Sequence, residues 1–243
     1  MGLLAALVLL LVFAGPGRRV AAQVMAGQTV ETDEYVLFLP PELGMDFRRP
    51  LLVAFSPDAD AAGMVALWQG AARRHQCLVL ASKVVKNGLD VPPVLSRLLG
   101  EIPRLSRRFP IDLRFVIATG VSGGSMTAHL AAFLFPEVVA GVIANIGLIH
   151  KNSLRKVERY PRDKVAVFLT GPEDYDYRAM RNDRKFLDRL GWRTHLLEYP
   201  GGHVAAPPEV LDEALSWVLL HLGASDPARA TAPDTGRPPA TAP

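Results

Sequence analysis

The chain has 243 residues, of which 49% are hydrophobic and 21% charged, with 27 Lys and Arg against 24 Asp and Glu. That length suits one sizeable domain, and a formal charge of +3, falling to +1 once Arg18 and Arg19 are set aside with a leader, gives no electrostatic case for a nucleic-acid partner. The single cysteine, Cys77, excludes an internal disulfide, a Cys-based zinc site and a CxxC redox pair.

Residues 3–14 form an unbroken apolar run, too short to span a bilayer and of the length of a secretory core segment. Gly15-Pro16-Gly17 breaks it, and Val20-Ala21-Ala22 offers small residues at a cleavage site. The expectation is a signal peptide over 1–22, a mature start near Gln23, one domain over 23–223, a secreted or periplasmic location and no lasting membrane insertion. The competing expectation is an uncleaved anchor, because the α-amino group is the only positive charge ahead of the apolar run. The opposite end, 224–243, holds six Ala, five Pro and three Thr without apolar periodicity, the composition of a disordered tail.

Between these ends, β-rich runs alternate with helical stretches. Strands are predicted over 35–39, 51–56, 78–82, 113–118, 138–144, 165–170 and 193–199. Several are continuously apolar, as in a sheet covered on both faces. Met64, Leu67, Trp68 and Ala71 share one helix face, with Trp68 in the core. A longer stripe runs from Val91 to Leu105. Met126, Leu130, Phe133 and Leu134 make a third face, and Val210 to Leu222 a fourth, with Gly223 placed to end it. Arg178, Arg181, Arg184, Lys185 and Arg189 read as a solvated helix face. The alternation predicts the α/β class, a mainly parallel sheet with helices on both faces. In such a sheet, chemistry is expected in the turns just past the carboxyl ends of the strands.

After 113–118 comes Gly120-Val121-Ser122-Gly123-Gly124, a G-x-S-x-G match in the strand–turn–helix context that such a nucleophile requires. The turn pushes a strained serine out over the sheet edge, and small residues two before and two after let strand and helix pass. Ser125 is the rival hydroxyl, one turn into the helix. A hydroxyl needs a base. His203, in the loop Gly201-Gly202-His203 between the last strand and the last helix, is the first candidate, with His150 second. An imidazole in turn needs a carboxylate to fix its tautomer. Asp174 in the turn after 165–170 is the choice, with Asp176 and Glu173 as alternatives. For the oxyanion, one donor is expected at the Gly123 N–H. A second is expected after 51–56, where Pro57 has no N–H and the choice between Ser56 and Asp58 falls on Asp58. Lys83, Lys86, Asn87 and Asp90 read as a solvated loop, with a place at the border of a pocket as the alternative. No metal-ligand spacing and no phosphate-binding glycine loop occurs, and the chemistry calls for no cofactor.

These residues resemble the α/β-hydrolase superfamily, and within it the secreted esterases related to poly(3-hydroxybutyrate) depolymerases and feruloyl esterases. The resemblance covers about 35–222 and rests on Tyr35 to Pro41, Gly120 to Gly124, the Gly171 to Asp174 turn and Gly201-Gly202-His203. It implies the α/β-hydrolase fold and cleavage of carboxylic esters through an acyl-enzyme, by a triad of Ser122, Asp174 and His203. It also implies a small-molecule or oligomeric ester as the partner. The family's His-Gly after the early strand is replaced here by Ser56-Pro57. A serine peptidase of the same fold and a non-catalytic binding protein on this scaffold are the alternative functions.

Overall fold

The computed structural model describes residues 28–41 and 47–223, so the expected signal peptide 1–22 and the expected tail 224–243 lie outside the described residues. Eight strands form one sheet: β1 (Thr29–Glu31), β2 (Tyr35–Phe38), β3 (Arg49–Phe55), β4 (Leu78–Ser82), β5 (Ile111–Val121), β6 (Gly141–Asn145), β7 (Val165–Thr170) and β8 (Arg193–Glu198). Their spatial order is β1-β2-β4-β3-β5-β6-β7-β8. β2 runs antiparallel to β1 and β4, and every other neighbouring pair is parallel.

Side chains alternate between two buried layers, which is the two-residue period of a strand covered on both faces. Leu51, Val53 and Phe55 of β3 join Val116 and Ala118 of β5 and Phe168 of β7 in one apolar cluster. Leu52 and Ala54 join Ile117, Ile143 and Val167 in the other. Helices α2 (Val91–Gly100), α3 (Ile102–Leu105), α4 (Gly123–Leu134) and α5 (Tyr177–Arg189) contribute to the first cluster, and α1 (Ala61–Arg74) and α6 (Pro208–Leu222) to the second. Trp68 is fully buried in the second cluster. Among the described residues, no helix is long and apolar enough to cross a membrane.

Three differences from the sequence reading have local causes. The stripe from Val91 to Leu105 is two helices rather than one, broken at Glu101. Pro103 lacks an N–H and its ring clashes with the carbonyl of Leu99, so one continuous helix is not available. β5 runs eleven residues, beyond both ends of the predicted 113–118, because it lies between β3 and β6 and finds backbone partners along most of its length. β6 starts at Gly141 rather than at 138, since the N–H groups of Val138 and Val139 are spent in a turn on the Phe135 carbonyl.

The chain leaves β3 for β4 on one side and then crosses to β5 on the other. Strand order therefore reverses about β3, and the carboxyl ends of β3 and β5 mark the switch point at which such sheets bind ligands.

Candidate active site

Ser122 stands at that switch point, on the turn between β5 and α4, with φ 51° and ψ −118°. This is a costly backbone for a residue with a Cβ, of order 1–3 kcal/mol, and it persists because its neighbours over-determine it. The Ser122 N–H donates to the Asn145 carbonyl at 3.0 Å, and its own carbonyl accepts from the N–H groups of Ser125 and Met126. The flanking glycines are required by space. A Cβ on Gly120 would fall 2.2 Å from the Gly124 carbonyl carbon, and one on Gly124 would fall 2.0 Å from the Phe55 carbonyl oxygen.

His203 Nε2 lies 2.9 Å from Ser122 Oγ, and His203 Nδ1 lies 2.9 Å from Asp174 Oδ1. With the Nδ1 proton donated to Asp174, Nε2 is the free acceptor facing the serine hydroxyl. Three side chains from the ends of β5, β7 and β8 thus form one hydrogen-bonded chain. The Asp174 side chain is fully buried. A buried carboxylate is tolerated when its lone pairs are filled. Besides His203, it accepts from the Thr170 hydroxyl at 3.0 Å and from the Asp176 N–H at 2.9 Å.

The alternatives sit elsewhere. Ser125 is buried with its hydroxyl 2.6 Å from the Gly120 carbonyl and 2.9 Å from that of Asn145, so its proton is committed to backbone. His150 is exposed at the start of a short 3-10 helix (Lys151–Lys156) and contacts Ser153 Oγ at 2.7 Å rather than Ser122. Glu173 is exposed. Asp176 contributes its backbone N–H, while burial and the neighbouring Asp174 charge push its own carboxyl above the usual carboxylate range. Donor atoms of Asp174, Asp176 and His203 lie within 4.8 Å of one another, the only such grouping of His, Cys, Asp and Glu among the described residues. The hydrogen bond from His203 to Asp174 already occupies two of those donors, so the set fits a relay better than an ion.

At the expected oxyanion positions, the Gly123 N–H opens the first turn of α4 and donates to nothing among the described residues. Asp58 lies in the turn after β3, but its N–H already donates to Ser56 Oγ at 3.1 Å. Beside Gly123 is an open cleft of about 260 Å³, walled by Asn87, Leu89, Met126, Leu130 and His150. Lys86 also lines this cleft, whereas Lys83 lies apart, paired with Glu31 at 2.9 Å.

Two contributors were not anticipated. Asn145 ends β6; its carbonyl holds Ser122 and Ser125, while its buried side-chain Oδ1 accepts from the Ala206 N–H at 3.0 Å, bracing the loop that carries His203. A polar residue closing an apolar run at a strand's carboxyl end is the signal that marks it. Tyr175 is 75% exposed, and its ring stacks on His203 with centroids 4.1 Å apart.

No family model and no curated protein matches the chain. Solved structures do. The Bacillus cereus carboxylesterase superposes with a TM-score of 0.61 at 14% identity, over 77% of this chain and 93% of that one. A fluorophosphonate-binding serine hydrolase of Staphylococcus aureus gives a TM-score of 0.58 at 13% identity, over 77% and 91%. A dienelactone hydrolase of Anabaena variabilis gives 0.56 at 17% identity, over 77% and 90%. At these identities the likeness concerns architecture, and the architecture is the α/β-hydrolase fold.

Proposed function

We propose that the protein is a serine esterase that cleaves carboxylic esters through an acyl-enzyme. The observation that carries this reading is the unbroken hydrogen-bonded chain from Ser122 Oγ through both nitrogens of His203 to Asp174. Ser122 Oγ attacks the ester carbonyl as its proton passes to His203 Nε2. The buried Asp174 carboxylate orients the imidazole and stabilises the imidazolium that forms. The charge that develops on the carbonyl oxygen is met by the Gly123 N–H at the positive end of α4. The leaving alcohol takes the proton back from Nε2, and a water activated by the same nitrogen then hydrolyses the acyl group from Ser122. Each of these proton transfers runs through His203 Nε2, which lies 2.9 Å from Ser122 Oγ.

The cleft beside Gly123 is lined without His203, and the leaving oxygen must face His203 Nε2. The cleft is therefore assigned to the acyl portion of a small-molecule or oligomeric ester. The finer kinship, to secreted esterases related to poly(3-hydroxybutyrate) depolymerases and feruloyl esterases, and export of the chain are proposed from sequence: the glycine-flanked serine and Gly201-Gly202-His203 support the first, and the apolar run 3–14 the second.

The test is turnover of p-nitrophenyl butyrate, with covalent labelling by a fluorophosphonate. Hydrolysis that disappears on labelling supports the reading. A folded protein that neither hydrolyses short esters nor takes the label overturns it.

A further inference from the structure

We infer that the side-chain amide of Asn87 is the second donor of the oxyanion hole. This rests on the esterase reading and deepens it. A hole with one donor is weak, since losing one of two typically costs about 10²–10³ in rate. Two positions of the segment after β3 are poor sources of the second. Pro57 has no N–H to give, and the Asp58 N–H is spent on Ser56 Oγ at 3.1 Å.

Asn87 approaches the same spot from the loop after β4. A Cβ placed on Gly123 would fall 1.9 Å from Asn87 Oδ1 and 3.2 Å from Nδ2, so the amide fills the space that a side chain at position 123 would take. It thus lies directly against the residue whose N–H is the first donor. The loop is held there. The Asn87 N–H donates to the Pro57 carbonyl at 2.7 Å, and Lys86 pairs with Asp58 in an isolated antiparallel bridge. Segments 56–58 and 86–88 are in this way strapped together over the elbow. Gly88, at φ 80°, supplies the left-handed residue that turns the chain back.

The side chain is also uncommitted. Among the described residues, the Asn87 amide makes no hydrogen bond, so nothing fixes which end faces Gly123. A half-turn about its last side-chain bond exchanges oxygen for NH₂, and a developing oxyanion selects the NH₂ end. Only glycine at 123 leaves room for this arrangement, a requirement separate from the passage of strand and helix that Gly120 and Gly124 provide.

The experiment compares wild type, Asn87→Ala and Asn87→Asp in kcat and KM for p-nitrophenyl butyrate. It also measures the affinity of butylboronic acid, whose adduct with serine mimics the tetrahedral oxyanion. The expected result is a fall in kcat of about 10²–10³ for Asn87→Ala, KM within about threefold, and boronate affinity falling in step with kcat. Asn87→Asp keeps the shape but loses the donor and adds a charge, so it falls at least as far. A merely packing role predicts instead that boronate affinity for Asn87→Ala stays within about threefold of wild type. An active wild type with either variant within about threefold of it in kcat overturns this inference and leaves the esterase reading standing. A wild type inactive on every ester brings down the esterase reading, and this inference with it.

Discussion

Ser122 holds a conformation that its own chemistry resists. The positive φ places a Cβ where L-residues are strained, and the nearby backbone bonds to Asn145, Ser125 and Met126 keep it there. That strain has a measurable counterpart. Replacing Ser122 by Gly removes the steric cost at the loss of one part-buried hydrogen bond, to His203, and its expected outcome is a melting temperature above wild type, by up to about 1 kcal/mol, with ester turnover abolished. Part of that gain is offset by the greater freedom of glycine in the unfolded chain. Differential scanning calorimetry reads the result; a lower melting temperature for Ser122→Gly contradicts the claim that strain is stored at Ser122.

At the scale of elements, the site is assembled where β5, β6, β7 and β8 end together, and Asn145 joins them. Its carbonyl faces the elbow and its side chain the His203 loop, so one residue sets the relation of Ser122 to His203. Asn145→Ala leaves the buried Ala206 N–H without an acceptor. The expected cost is about 1–3 kcal/mol in urea unfolding. The expected fall in kcat, measured where the variant is still fully folded, exceeds any change in KM. An unchanged unfolding midpoint contradicts the bracing role. Much of this arrangement was legible in the sequence. G-x-S-x-G, an acidic turn and a Gly-Gly-His loop each come after an apolar run that reads as a strand, and parallel sheets gather such ends at one edge. What was not legible depends on side-chain reach across elements. Asn145 appears in the sequence only as the last letter of an apolar run, and Thr170 likewise closes β7; their roles exist only once four strands are in register. Asn87 reads as part of a solvated loop, and its approach to Gly123 comes from the packing of the loop after β4 against the loop after β3. β1, with three residues at a sheet edge, has too short a pattern to announce itself.

At the scale of the whole molecule, two buried layers cover opposite sheet faces, and one histidine buried in this core makes the fold sensitive to acid. His129 on α4 is 1% exposed, and neither ring nitrogen has a hydrogen-bond partner among the described residues. Burial lowers its pKa to about 3. An unfolded chain takes up this proton near pH 6.5, while the folded one refuses it. Stability is therefore fully present above about pH 6.5 and is lost as pH falls from there toward 3, at up to ~1.4 kcal/mol per unit. Met at this position keeps the volume without the nitrogens. The expected outcome for His129→Met is a melting temperature that falls less between pH 7 and 5 than that of wild type; identical slopes contradict it.

The central claim is that Ser122 is a nucleophile activated by contact with His203. It is tested most directly by treating the folded protein with a fluorophosphonate and locating the adduct by peptide mass spectrometry. The expected result is a single adduct on Ser122 in wild type and none once His203 is changed to Ala. An adduct on another residue, or labelling of Ser122 at an unchanged rate without His203, contradicts it.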